Sequence, residues 1–110
     1  MEFTRGDTHS FRFQRKDANE EVIQSRPDYM WFTVKKNDKT KDVLIQKTLG
    51  NGITFDEEFY YHVLIKPEDT RNLGYGDYVY DIQVQTGDYV KTLKVEDLTL
   101  TSEVTFDFEE

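Results

Sequence analysis

Two histidines, His9 and His62, and the carboxylate run Asp56-Glu57-Glu58 are the side chains best suited to metal or acid–base chemistry. A compact zinc site needs ligands at short, regular spacings, with Cys the usual companion of His. Here the histidines are far apart and Cys is absent. His62 lies in Tyr61-His62-Val63, where it reads as an outward or interface residue of a strand. A glycosidase opposes two carboxylates across a cleft and raises the pKa of one with an apolar wall. Three adjacent acids read instead as a solvated loop. The alternating acids, central Gly and distal Glu of a calcium loop are missing. Ser10, Ser25 and Ser102 have no Gly-x-Ser-x-Gly setting. Gly74-Tyr75-Gly76 lacks the Gly-Lys-Ser/Thr ending of a phosphate loop and suits a tight turn. Arg5-Gly6-Asp7 matches an integrin-binding tripeptide, but so short a match arises by chance, and the segment reads as a turn leading into a strand. The expectation is therefore a non-enzymatic protein with no catalytic residues, cofactor or metal.

Binding chemistry resides in the rings. The chain has eight Phe, seven Tyr and one Trp, and most of these can fill a core. Tyr29, Trp31, Tyr60, Tyr75 and Tyr89 do not fit one inward row. Rings with one wet end suit a subunit interface, and the expected interface residues are Trp31, Tyr60, His62, Tyr75 and Tyr89. The alternative is a carbohydrate-binding module that stacks sugars on Trp31 and exposed tyrosines. Uncovered strand edges need partners or protection, which Lys35, Lys36, Lys91 and Lys94 are placed to give.

A chain of 110 residues amounts to about one domain, taken here as 1–110. Its formal net charge of −8 argues against nucleic acid, whose phosphates need a basic face. The cluster Lys35, Lys36, Lys39 and Lys41 reads as a solvated turn. Without Cys no disulfide framework or thiolate metal site can form, which suits an intracellular product or a particle assembled in cytoplasm. Met1 to Arg5 has no apolar signal core and no run approaches membrane length, so neither export nor membrane insertion is expected.

These residues need strands to hold them. In Gly76-Asp77-Tyr78-Val79-Tyr80-Asp81-Ile82-Gln83-Val84, a period of two puts Tyr78, Tyr80, Ile82 and Val84 on one face and Val79, Asp81 and Gln83 on the other. Strands are expected over 9–14 with Phe11 and Phe13 inward, then 29–35, 43–48, 59–66, 77–85, 89–95 and 98–104. Residues 53–55 form a short extension that crosses between sheets. In 59–66, Phe59, Tyr61, Val63 and Ile65 share a face, while Tyr60 and Leu64 make the other partly apolar, as in a strand covered on both sides or meeting a partner. Pro67 followed by Glu68 and Asp69 favours one helical turn. Thr86-Gly87-Asp88 is a hairpin loop. Leu98, Leu100, Val104, Phe106 and Phe108 share parity, with a bend near Ser102. About seven short strands with regular turns predict an all-β, antiparallel β-sandwich, immunoglobulin-like, with a jelly roll as the alternative. Tyr78 is either a corner tyrosine bonding back to the preceding loop or a plain core aromatic.

From Thr4 to Thr105 the order of signals resembles small structural proteins of tailed bacteriophages and prophages. The closest likeness is to the N-terminal domain of phage baseplate upper proteins. The matching pieces are Arg5-Gly6-Asp7-Thr8 leading into Phe11-Arg12-Phe13, Asp69-Thr70 with Leu73, and the 76–84 segment. Thr92-Leu93, Leu98-Thr99-Leu100 and Val104-Thr105 complete them. Where such modules often have Gly before the last strand, this chain has Glu96-Asp97, which puts the local turn in doubt. The resemblance implies a β-sandwich packed into a virion tail, baseplate or head assembly. Its partners would be other virion subunits and further copies of itself. It would be located in the virion and, during assembly, in the bacterial host's cytoplasm. The resemblance supplies no catalytic residues.

Overall fold

A computed structural model describes residues 1–103. Val104, Phe106 and Phe108 of the expected last row, and Glu109-Glu110, lie outside the described residues. The elements are β1 (Glu2–Thr4), β2 (His9–Gln14), β3 (Tyr29–Lys35), β4 (Ile45–Leu49), β5 (Gly52–Phe55), β6 (Tyr60–Ile65), α1 (Pro67–Thr70), β7 (Gly76–Thr86) and β8 (Tyr89–Thr101). Among the described residues the chain is all-β apart from the single turn of α1. That turn forms as its sequence predicts: Pro67 opens it, and the Asp69 carboxylate accepts the Lys66 N–H at 2.7 Å.

The strands make one sheet of eight in the order β1-β8-β7-β3-β4-β5-β6-β2, curled nearly into a barrel. Eight strands therefore stand where about seven were expected, and the sheet is not wholly antiparallel. The β1–β8 and β4–β5 pairs are parallel. Parallel strands normally need a crossover of roughly a dozen residues, yet only Gly50-Asn51 separates β4 from β5. The pairing is a local fold-back at a corner, with Gly50 at φ +93° and Gly52 at φ +99°. At Gly52 a Cβ would lie 2.5 Å from Lys47 Cδ and 3.0 Å from Lys47 Cβ.

The concave side holds the core. β7 contributes Tyr78, Tyr80, Ile82 and Val84, the row its alternation predicts. Facing them are Met30, Phe32 and Val34 of β3, Tyr61, Val63 and Ile65 of β6, Ile45, Ile53, Leu98 and Leu100. The closure is visible in ring contacts across the sheet. Phe11 of β2 lies 5.6 Å from Phe32 and 6.4 Å from Tyr80, and Phe3 stacks on His9 at 4.3 Å, joining the two terminal strands.

Two expected strands, 89–95 and 98–104, are one strand of 13 residues through Thr101. Glu96-Asp97 makes no turn, because β7 is long enough to pair with both, through Tyr80 and Val79. Phe59 does not start β6; it sits in the preceding turn at φ 67°. β6 lies between β5 and β2, buried on one face only, since Leu64 on its other face is exposed. Tyr78 is both alternatives at once: it is buried, and its hydroxyl donates to Gly74 O at 2.7 Å.

Candidate functional site

The period-two alternation that buries Tyr61 and Val63 turns Tyr60 and His62 outward on β6. His62 Nε2 meets Asp56 Oδ2 at 2.6 Å, while Asp56 Oδ1 accepts the N–H groups of Glu58 and Tyr60 at 2.8 and 3.0 Å. The hydrogen bond with His62, then the one from the Tyr60 N–H, holds the Asp56 carboxyl below its usual range. Asp56 thus shapes the β5–β6 turn. The Arg12 guanidinium lies over the Tyr60 ring, 4.2 Å from its centroid.

The other expected interface residues stand elsewhere. Trp31 is half-buried on the convex face of β3, with the exposed Tyr29 ring stacked on it at 5.7 Å and 15°. Tyr75 lies before β7 under the Arg5 guanidinium, with its hydroxyl 3.1 Å from Arg5 Nη2 and 3.4 Å from Glu103 Oε1. Arg5 also donates to Leu73 O and pairs with Glu103 at 2.7 Å, so the Arg5-Gly6-Asp7 arginine is engaged internally. Gly6 N donates to the buried Thr70 hydroxyl at 2.8 Å, which makes the tripeptide part of the turn into β2. Tyr89 opens β8 at the hairpin and is 66% exposed. Trp31, Tyr60, His62, Tyr75 and Tyr89 therefore do not converge; only Tyr60 and His62 adjoin, with rings 6.5 Å apart.

Two recesses stand out among the described residues. A shallow one of about 280 Å³ lies over the convex faces of β3, β4, β7 and β8, between Thr33, Gln46, Asp81 and Val95. Burial raises the Asp81 pKa there, against the pull of Lys35. The other, of about 410 Å³, lies between β2 and β8. Its floor includes Phe11, Phe13, Ile82 and Leu93, and its sides include Arg12, Arg15, Lys16, Lys91 and Lys94.

This cationic groove depends on a bulge. Lys91 and Lys94 are three positions apart and would face opposite ways in a regular strand. The register shift between Ile82 and Gln83 leaves Leu93 without a partner and pairs Lys94 with Ile82 and Lys91 with Val84. Cross-strand partners share a face, so both lysines take the side of the core-facing Ile82 and Val84. Sequence reading placed Lys91 and Lys94 only as edge protectors and missed the groove. Its two halves lie far apart in sequence, and a bulge leaves no local signature in Thr92-Leu93-Lys94. The one available signal was Arg12 between two inward Phe residues.

Glu96 borders this region. Desolvation, which would raise its pKa, is outweighed by bonds from the Tyr80 hydroxyl and Lys94, and its carboxyl is held low. Burial and the Glu96 bond push Tyr80 up to about 12. Among the described residues, no three His, Asp or Glu gather as a metal site, and no helix is long and apolar enough to cross a membrane. No protein-family model and no curated protein matches this chain.

Proposed function

We propose that this protein is a non-enzymatic assembly module of a tailed-phage or prophage particle, joined to other virion subunits and to its own copies through sheet faces and strand edges. It would act in the virion, after assembly in the host cytoplasm. The observation that carries the reading is a sheet whose strand β8 exposes apolar side chains on both faces: Tyr89, Val90 and Val95 are 66%, 54% and 64% exposed. Such side chains on a fixed backbone make contact anchors at low entropic cost. The resemblance of the motif order to that of baseplate upper proteins, read from the sequence, supports the same assignment.

The sandwich architecture belongs to this proposal. β1-β8-β7-β3-β4 and β5-β6-β2 meet at the fold-back after β4, and Phe11 packs across to Phe32 and Tyr80 as layers of a sandwich would. The Tyr78–Gly74 bond is the kind of corner that immunoglobulin-like domains use. Light scattering over a concentration series and electron microscopy of particles carrying a tagged copy test the function. Self-association and incorporation are expected; a strict monomer absent from purified particles refutes it.

One observation favours a carbohydrate-binding module instead: Tyr29 and Trp31 form a near-parallel stacked pair on the convex face. On that reading a glycan array shows binding that Trp31→Ala abolishes while assembly is unchanged.

A further inference from the structure

We infer that the groove between β2 and β8 is a strand-acceptor site for an extended acidic segment of a neighbouring subunit, one carrying aromatic side chains at alternate positions. The inference deepens the assembly reading and rests on it.

The groove is a wedge in the nearly closed sheet. Among the described residues, β2 ends the sheet order and pairs only with β6, and β8 has a strand on its other edge only from Thr99, where β1 begins. At that end Phe3 stacks on His9 and closes the gap. Beyond it, among the described residues, neither β2 nor residues 89–96 of β8 pair with a strand across the gap. A segment laid there would find backbone donors and acceptors on both sides, which is how strand addition gains affinity. Alternate side chains of such a segment would point down to Phe11, Phe13 and Leu93.

Charge selects the occupant. On a chain of net charge −8, five cations border this one recess. Arg15, which lines it, keeps a buried Nε without a hydrogen-bond partner. Lys94 has one acid nearby, Glu96 at 3.3 Å, and Arg12 is held over Tyr60. Lysines turned inward at a bulge guard an edge against neutral strands; the same lysines would attract an acidic one. The chain itself carries the required pattern at 104–110, Val-Thr-Phe-Asp-Phe-Glu-Glu, so a further copy is one source of the segment.

The test uses the full chain and a fluorescent peptide, Val-Thr-Phe-Asp-Phe-Glu-Glu, followed by anisotropy. Binding is expected, weakened about tenfold or more by Lys91→Glu with Lys94→Glu and by the amide analogue Val-Thr-Phe-Asn-Phe-Gln-Gln. Lys35→Glu with Lys36→Glu, away from the groove, should leave it unchanged. In case a charge reversal disturbs folding, hydrogen exchange of the unaltered protein is the second readout, with added peptide slowing amides in 10–14 and 90–95. The inference is overturned by no binding, by protection confined to other strands, or by preference for an oligothymidylate of equal charge. Particles that incorporate the protein while the peptide fails to bind would overturn the groove and spare the assembly reading. Peptide binding by a monomer absent from particles would support the groove and sink the assembly reading.

Discussion

Tyr61 and Tyr78 both carry a hydroxyl into the interior, with different outcomes. Tyr78 donates to Gly74 O, whereas Tyr61, wholly buried against Phe13 and Phe55, has a hydroxyl with no hydrogen-bond partner. A net hydrogen bond contributes about 1 kcal/mol, and an unmet buried polar group costs roughly 1–3 kcal/mol. Tyr78→Phe should therefore lower stability by about 1 kcal/mol, and Tyr61→Phe should raise it by a similar amount. Urea unfolding checks both, as opposite shifts in midpoint with an unchanged slope. Asp56 gives a pH dependence. Its carboxyl is held below the usual 3.8, mainly by His62, so its stabilisation is complete above that value and disappears as pH falls through the lower folded value. Asp56→Asn keeps an acceptor for the turn but loses the charge. The variant should melt lower than the parent at neutral pH, and the gap should narrow below about pH 4; thermal melts across pH 2–7 would show it. The aromatic excess was legible in the sequence, but its placement was not. Tyr75 looked free until Arg5 and Glu103 closed on it.

Among the elements, β7 was the most legible, because its alternation is unbroken and one face is wholly buried. The break between β4 and β5 was legible in the separate segments 43–48 and 53–55, but 53–55 was expected to cross between sheets and instead folds back parallel to β4 in the same sheet. β8 was not legible, since Glu96-Asp97 looks like a turn when read locally. Only the long β7 beside it, and the bonds Glu96 receives from Tyr80 and Lys94, keep the strand continuous. β1 could not be read at all: three residues define a strand only by lying against Thr99–Thr101. The corner supports a sharp prediction. Gly52→Ala puts a Cβ into the Lys47 side chain and strains a positive φ, and it should cost about 1–3 kcal/mol. Lys47 also pairs with Asp69 at 2.7 Å, so the substitution should disturb the contact between this corner and α1. Gly50→Ala meets no neighbour within 4 Å and so isolates the backbone part of the cost in the same unfolding assay.

For the whole molecule, composition and periodicity were enough to predict an all-β chain. They could not specify closure, which depends on Phe11 reaching Phe32 and on Phe3 reaching His9 across opposite ends of the sheet order. Charge was legible only as a sum; its gathering into one groove follows from that closure and from the bulge at Leu93. If the module assembles as proposed through that groove, added salt should shift association toward monomer, because screening weakens attraction between exposed charges. Sedimentation at 50 and 500 mM salt would register the change. The pairing of β1 with β8 bears on time as well as shape. The Met1 ammonium bonds Asp97 O across 96 positions of chain, so this seam must wait for nearly all the intervening polypeptide. Bringing together such distant partners exacts chain entropy before any contact repays it, and proteins dominated by distant pairings refold in roughly milliseconds to seconds. Stopped-flow fluorescence of Trp31 should show that slow regime, and a microsecond relaxation would mean that the seam is not part of the rate-limiting event.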